Sequence, residues 1–175
     1  MSKVKYSNLT LKKLKINHFS INYINWMNDK KVVEFTEQRY ARHSKNDIIN
    51  FIKSKQNSKT EKVFGIFIKL KNKNVHIGNI KLGPIDFRHK NALISYFIGE
   101  KKYWGKNITT IAIKKILVIA KKKYKLKKIY AGFYSNNIGS KKVLKKNGFK
   151  KEAHFKNQLV YKNKRIDHIY YGKEI

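Results

Sequence analysis

The sequence lacks cysteine altogether and contains a single proline among its 175 residues. The absence of cysteine excludes disulfides, thiolate catalysis and cysteine-ligated zinc, and it leaves the redox compartment unconstrained. The one proline, Pro84, follows Gly83, and no stretch rich in Pro, Gly or Ser interrupts the chain to mark a linker. We therefore expect one domain that spans residues 1–175.

Acidic residues are also scarce, because ten Asp and Glu stand against 42 Lys and Arg, which gives a formal net charge of +32. Such an excess fits nucleic acid, an anionic surface or a polyanionic ligand as partner. Only four of these basic residues are Arg, which phosphate and base readers favour, and Lys, Ile and Asn together are what an AT-rich coding sequence produces. We interpret the charge mainly as compositional drift and keep nucleic-acid binding as an alternative.

Long hydrophobic runs are missing as well. No run approaches the ~18 apolar residues of a membrane span, and the N-terminus shows no signal-peptide pattern, so a cytoplasmic protein without a membrane partner is expected. The six histidines show no metal-ligand spacing, and no metal site is predicted. What the chain does contain is 41% hydrophobic and 13% aromatic residues, a composition typical of a folded domain.

Apolar periodicity predicts an α+β domain with a mixed sheet. Near the N-terminus, a strand is expected around Val4, Tyr6 and Leu9, then a helix within residues 21–27. A second helix begins at a capping box formed by Ser44 and Asp47.

Three antiparallel strands are predicted next, at residues 63–70, 75–82 and 92–98, with connecting turns at 71–74 and 83–90. An amphipathic helix of about three to four turns follows Gly105. The remaining elements are a strand at 128–133, a short helix at 140–146 and a terminal pair of strands within 149–173.

The turn Lys102-Tyr103-Trp104-Gly105-Lys106-Asn107 connects a strand to the amphipathic helix. Backbone N–H groups can converge there on an anion, which the positive end of the helix dipole also favours. Asn107 tolerates left-handed backbone geometry better than most residues. The segment therefore predicts a phosphate-binding turn.

This turn resembles the pyrophosphate-binding motif of the GNAT superfamily, with Lys102 in place of the usual Arg or Gln, Gly105 as the central glycine and Asn107 in place of the last small residue. Further along, Asn137-Ile138-Gly139-Ser140, continuing to Asn147-Gly148-Phe149, resembles the second signature of the superfamily. The stretch His76-Ile77-Gly78-Asn79-Ile80 and residues 167–172 are similar to the branch with ribosomal-protein-type N-terminal acetyltransferases and many sugar-amine acetyltransferases. The resemblance covers nearly the whole chain.

The resemblance implies a mostly antiparallel sheet with helices on both faces, splayed between the fourth strand (92–98) and the fifth strand (128–133), with acetyl-coenzyme A (acetyl-CoA) in the gap. The amine acceptor then attacks directly, without a covalent enzyme intermediate. The residues assigned to acetyl-CoA by the resemblance are Tyr96, Phe97, Ile98, Lys102, Tyr103, Trp104, Gly105, Lys106, Asn107, Ile108, Thr109, Asn137 and Ser140.

Proton transfer is the part that the resemblance does not assign. Leu144 replaces the tyrosine that acts as the acid in many family members, and Leu93 replaces a carboxylate frequent in this branch. The substitute candidates are Glu37, His43, Asp86, His89, Glu100 and Tyr134, of which we select His89, Asp86 and Tyr134 as catalytic candidates.

The function that the resemblance implies is acetyl transfer from acetyl-CoA to a primary amine, either an amino sugar on a nucleotide or a protein N-terminus. Two alternatives remain, a basic nucleic-acid-binding protein and a non-catalytic CoA-binding module on the same fold. The sequence leaves the oligomeric state open.

Overall fold

The structure, a computed structural model, describes residues 6–70 and 73–175, and within these ranges seven strands form one sheet in the order β1-β2-β3-β4-β5-β7-β6. The strands are β1 (Leu9–Lys13), β2 (Lys62–Leu70), β3 (Lys73–Asp86), β4 (Asn91–Ile98), β5 (Lys128–Tyr134), β6 (Lys150–Tyr161) and β7 (Lys164–Glu174). The α-helices are α1 (Ile21–Asn28), α2 (Lys45–Asn57), α3 (Ile108–Tyr124) and α4 (Ile138–Lys146). All neighbouring strands run antiparallel except β4 and β5, so the predicted mixed sheet is confirmed.

The splay between β4 and β5 is the feature that matters most for function. These strands pair only from Asn91 with Lys128 to Leu93 with Tyr130, and beyond that point they separate. The N–H of Gly99 donates to Ile77 on β3 at 2.9 Å. Because successive residues of a strand present their backbone groups to opposite sides, those of Tyr96 and Ile98 face the gap.

Helices cover both faces of the sheet, as predicted. On one face α3 packs against β-strand residues in a large core that includes Ile94, Ile113 and Ile129, all at most 1% exposed. On the other face α1 and α2 bury Trp26 and Ile52 against the sheet. Ser44 and Asp47 form the predicted capping box at the start of α2, an arrangement that contributes about 1 kcal/mol to such a helix.

The N-terminal strand and the long helix differ from the prediction. The strand begins at Leu9, because Tyr6–Asn8 form a 3₁₀ turn, and Val4 lies outside the described residues. Helix α3 has 17 residues and is longer than predicted, because apolar residues continue to face the core through Ala120. It ends where Lys125 adopts a left-handed conformation with φ 55°.

The turn predicted at 83–90 is shorter in the structure, since β3 continues to Asp86. The pairing of β3 with β4 shifts register between Leu82 and Ile85, so Gly83 and Pro84 have no partner residue on β4. The N–H of Ile85 donates to the carbonyl of Thr60 at 2.8 Å. At the preceding turn, Lys71 and Asn72 lie outside the described residues. Helix α4 begins at Ile138, two residues earlier than predicted. None of the helices in the described ranges is long and apolar enough to cross a membrane.

Candidate active site

A cavity of about 870 Å³, which we call the helix-end cavity, lies at the N-terminus of α3. Gly105 and Asn107, which line it, take left-handed conformations with φ of 72° and 65°. A Cβ added at Gly105 would meet no atom within 4 Å, so this wall faces open space. The N-cap residue Asn107 provides no side-chain cap to α3, which leaves first-turn N–H groups available to a ligand.

Positive side chains add to this helix end. The helix-end cavity is lined by three lysines, Lys31, Lys142 and Lys146, against a single carboxylate, Glu34. Lys142 and Lys146 are one turn apart on α4. Lysines and a helix N-terminus together favour a ligand with several phosphates. The helix-end cavity therefore has the features of a polyphosphate site.

Two hydrogen bonds connect this cavity to the sheet. The indole Nε1 of Trp104 donates to the carbonyl of Ile98 at 2.7 Å, which holds the turn against the end of β4. Across the β4–β5 gap, the hydroxyls of Tyr96 and Ser140 lie 2.6 Å apart. Burial raises the pKa of Tyr96 to about 12, against the opposing effect of Ser140, so the phenol stays protonated. Ser140 is held in turn by its N–H, which donates to Asn137 Oδ1 at 3.0 Å.

A second cavity of about 470 Å³, the sheet-face cavity, lies between the splayed strands and the face of the sheet that α1 and α2 cover. Its floor carries alternate strand residues, including Asn79, Leu93, Ser95, Gly132, Tyr134, His168 and Tyr170. The two cavities meet, because both are lined by Val32, Phe35, Thr36, Tyr96, Phe97, Asn137 and Ser140. A ligand in the helix-end cavity can thus reach one in the sheet-face cavity.

Tyr134 and Glu37 form the strongest acid–base pair on this second cavity. Tyr134 is buried at the end of β5, and its hydroxyl donates a hydrogen bond to Oε1 of Glu37, which lies exposed at the mouth of the cavity. Burial raises the pKa of Tyr134 to about 12, and Glu37 raises it further while Arg39 lowers it. The phenol is therefore protonated at neutral pH, next to a carboxylate that the acceptor can approach.

Arg39 fixes the segment that carries Glu37. Its guanidinium carbon lies 4.7 Å from the ring centre of Tyr134, and Nη2 donates to the carbonyl of Val160 at 2.8 Å. Phe35 stacks on Tyr161 with ring centres 5.5 Å apart. These contacts join the segment after α1 to the β6–β7 hairpin on the far side of the gap.

The charge of the sheet-face cavity is opposite to that of the whole chain. Two of its lining residues are acidic, Glu37 and Asp47, and hydrogen bonds from Ser44 hold the pKa of Asp47 below its ordinary value. The lining lysine, Lys81, is already paired with Glu61 at 2.6 Å. Burial lowers the pKa of His168, more than Glu37 raises it, so its imidazole is neutral at pH 7. A cationic acceptor fits this lining better than an anionic one.

Most of the residues predicted to bind the cofactor do line the helix-end cavity. These are Tyr96, Phe97, Ile98, Tyr103, Trp104, Gly105, Asn107, Ile108, Thr109, Asn137 and Ser140. Lys102 and Lys106 flank the turn without lining the cavity, and the Lys102 ammonium lies 3.8 Å from Glu100.

The catalytic candidates separate into two groups. Tyr134 lines the sheet-face cavity together with two further candidates, Glu37 and His43. Asp86 is the last residue of β3 and His89 lies in the turn that follows, where Asp86 Oδ1 accepts a hydrogen bond from the His89 N–H at 2.8 Å. That turn adjoins the paired end of β4 and β5, away from the gap, so neither residue lines either cavity.

The remaining positions that the sequence singled out have structural roles. Glu100 accepts a hydrogen bond from Trp26 Nε1 at 3.2 Å, and Leu144 is fully buried in the core. Leu93 lines the sheet-face cavity with an apolar side chain. In the part of the chain that the structure describes, no three His, Asp or Glu side chains assemble into a metal-binding group.

Several lining residues were not anticipated. Lys31, Lys142 and Lys146 belong to a chain so rich in lysine that their positions carry no signal of their own. Asn79 lies within the His76–Ile80 stretch that was noted for its resemblance, but its role depends on side-chain orientation, which the sequence does not show.

Comparisons with known proteins agree with this geometry. The family model "Acetyltransferase (GNAT) domain" matches residues 8–150. A curated relative, the probable N-acetyltransferase YjcK of Bacillus subtilis (strain 168), is 34% identical over 86 residues, which are 49% of this chain and 44% of that protein. The chain thus matches less than half the length of this relative.

Solved structures with the same fold cover almost the entire chain. The spermidine N-acetyltransferase of Vibrio cholerae in complex with CoA and spermine has a TM-score of 0.85 at 19% identity, over 96% of each chain. The ribosomal L7/L12 α-N-protein acetyltransferase in complex with CoA has a TM-score of 0.84 at 16% identity, over 97% of this chain and 95% of the other. The microcin C7 self-immunity acetyltransferase with acetyl-CoA and AMP has a TM-score of 0.81 at 22% identity, over 99% and 97%.

Proposed function

The chain belongs to the GNAT acetyltransferase family, and from this premise we propose that it transfers the acetyl group of acetyl-CoA to a primary amine bound in the sheet-face cavity. The family and fold implied by the two sequence motifs are confirmed. The observation that carries the proposal is the meeting of the two cavities at the splay, beside the pair formed by Tyr134 and Glu37.

The helix-end cavity fits coenzyme A on three counts. Open space faces Gly105, the first turn of α3 lacks a side-chain cap, and three lysines line the wall. We propose that the turn around Gly105 holds the pyrophosphate and that the backbone groups of Tyr96 and Ile98 pair with the pantetheine arm. Acetyl-CoA supplies the acetyl group as a thioester, so that amide formation releases the coenzyme A thiol.

On the acceptor side, the bound ammonium group first releases one proton to solvent. As the neutral amine then attacks the thioester carbonyl, its nitrogen loses a second proton, for which Glu37 Oε1 is the proposed acceptor. Tyr134 Oη, protonated at neutral pH, is the proposed proton donor for the thiol product. The hydrogen bond between Tyr134 and Glu37 then allows the proton that Glu37 gains to replace the one that Tyr134 gives up. In each turnover the amine therefore loses two protons, of which one goes to solvent and one passes through the pair to the coenzyme A thiolate.

The lining of the sheet-face cavity supports a peptide or protein N-terminus as the acceptor. Glu37 and Asp47 attract a cationic amine, and the single lining lysine, Lys81, pairs with Glu61, which also pairs with Lys55. Apolar and aromatic residues form much of the remaining wall, which suits an uncharged side chain. An amino sugar on a nucleotide is the second candidate, with its phosphates outside this cavity.

Calorimetry with acetyl-CoA at physiological salt tests the donor site, with dephospho-CoA and a short DNA duplex as comparisons. Saturable binding of acetyl-CoA is expected, followed by amine-dependent thiol release when peptide amides and amino sugars are supplied. Tight duplex binding that falls steeply with salt, together with no response to acetyl-CoA, would favour the basic nucleic-acid-binding alternative. Acetyl-CoA binding without thiol release from any amine would favour the non-catalytic module.

A further inference from the structure

Asn79 is an unusual residue in the wall of the sheet-face cavity. It is only 4% exposed and lies on β3 opposite Phe97 of β4, on the face that α1 and α2 cover. A buried amide has two donor hydrogens and two acceptor sites that folding must satisfy. Its orientation therefore decides what the cavity presents to a ligand.

His76 fixes that orientation. Its Nε2 lies 2.9 Å from both the carbonyl of Gly78 and Oδ1 of Asn79. Burial lowers the pKa of His76, more than its hydrogen bonds to Asn79 and Gly78 raise it, so the ring is neutral and has one N–H. Since the Gly78 carbonyl can only accept, the proton is on Nε2, and the amide must present its oxygen to His76. The Nδ2 group is consequently turned away from His76.

The Nδ2 donor has no partner. Within the described residues, four buried side-chain polar atoms lack a hydrogen bond, namely His76 Nδ1, Asn79 Nδ2, Tyr124 Oη and Asn147 Oδ1. Asn79 is the one among them that lines either cavity. The hydroxyl of Tyr23, which lines the same cavity, is the neighbour of this amide. Hydrogen bonding from Asn79 opposes the rise in the pKa of Tyr23 that burial causes, but the two groups do not reach the geometry of a complete hydrogen bond, so Nδ2 can turn to a better acceptor. An orphaned donor on a cavity wall is what a site for an oxygen atom requires.

We propose that Asn79 is a specificity-determining residue, whose Nδ2 donates a hydrogen bond to an oxygen next to the acceptor amine, such as the first carbonyl of a peptide. This inference rests on the proposed function and makes it more specific. Glu37 recognises the amine and Asn79 the neighbouring oxygen, so an α-amino amide is preferred over an amine with a plain hydrocarbon chain. A site built to hydrogen-bond a substrate oxygen discriminates strongly against an analogue without it.

Two matched pairs of acceptors test this preference. The first is an alanyl peptide amide and its analogue with a methylene in place of the first carbonyl, and the second is glucosamine and cyclohexylamine. For whichever pair the wild type acetylates, Asn79→Leu is expected to lower kcat/KM at least tenfold for the member that carries the oxygen. The kcat/KM for the oxygen-free member should change less than about threefold, and the affinity for acetyl-CoA should not change.

Asn147→Leu is the matched control, because Asn147 is also 4% exposed and has an unpartnered Oδ1, but it lines neither cavity. Its Nδ2 donates to Val143 at 2.9 Å, so this variant should lose thermal stability and keep the acceptor preference. Asn79→Leu likewise loses one hydrogen bond, the one that Oδ1 accepts from His76, and removes one orphaned atom, so its melting temperature should fall no further than that of Asn147→Leu.

The inference is overturned if Asn79→Leu lowers kcat/KM equally for both members of a pair, if the wild type prefers the oxygen-free member, or if Asn79→Leu melts far below Asn147→Leu. The last result would show that the amide stabilises the fold, and it can be measured without any acceptor. Failure of the proposed function has a different signature, since the wild type would then neither bind acetyl-CoA nor acetylate any of the four amines.

Discussion

The helix-end cavity and the sheet-face cavity meet at the same splay, but different parts of the chain form them. The first is formed by consecutive backbone around Gly105 and by lysines on α4, and it is positive. The second is formed by single side chains from β3, β4, β5 and β7, from α1 and α2 and from the segment after α1, and its lining has two carboxylates against one lysine. One cavity suits a polyanion and the other a cationic amine.

The difference implies that binding and proton transfer can be separated by mutation. Changes in the helix-end cavity should alter acetyl-CoA affinity, and changes in the sheet-face cavity should alter turnover and the choice of acceptor. Each variant below is therefore measured for both acetyl-CoA dissociation constant and kcat/KM.

The largest effect is expected for Glu37→Gln. Gln keeps the shape and can still accept the Tyr134 hydrogen bond, but it does not take a proton at neutral pH. We expect kcat/KM for the amine to fall by about 10³-fold, with the acetyl-CoA dissociation constant unchanged. Asp86→Asn is the matched control at the paired end of β4 and β5, where activity should be retained. If kcat/KM fell with Asp86→Asn and not with Glu37→Gln, Asp86 rather than Glu37 would be the proton acceptor.

Tyr134→Phe should have the next largest effect, about 10²-fold on kcat, because it removes the proposed proton donor and keeps the ring packed. The pKa of Tyr134 is raised to about 12, so its proton is present throughout the neutral range and is lost only as the pH rises towards that value. A profile of kcat against pH should thus show no falling limb from this group up to pH ~10. A fall near the ordinary pKa of tyrosine, abolished in Tyr134→Phe, would contradict the environment described for Tyr134.

The difference between local and distant residues explains which features the sequence alone could predict. The turn at the helix-end cavity depends on the conformations of Gly105 and Asn107, which are local and leave a motif, so the sequence predicts a phosphate-binding turn at these residues. Strands and helices were predicted for the same reason, since periodicity is local. Contacts between residues far apart in the chain leave no such motif. Glu37 and Tyr134 are separated by 97 positions, and nothing in the sequence selected this pair over Asp86 and His89.

Gly105→Val should reduce acetyl-CoA affinity by more than tenfold, or ~1.4 kcal/mol. Gly105 has φ of 72°, a region that a β-branched residue adopts only with strain, and its open side faces the helix-end cavity. Gly105→Asn should lose less affinity for acetyl-CoA than Gly105→Val, because Asn tolerates positive φ. Calorimetry with acetyl-CoA makes the comparison. If the Val variant binds as tightly as the wild type, this turn does not hold the cofactor.

The smallest effect is expected for the lysines of α4. Lys142→Gln and Lys146→Gln should each weaken acetyl-CoA by about two- to fivefold at low salt, since an exposed charge contributes modestly. Lys145→Gln changes the same charge on the same helix, but its side chain does not line the cavity, so it should have little effect. The three variants should converge at about 1 M salt, where screening acts over ~3 Å. If all three variants lost acetyl-CoA affinity equally, the net charge of the chain, rather than the geometry of the helix-end cavity, would attract the cofactor.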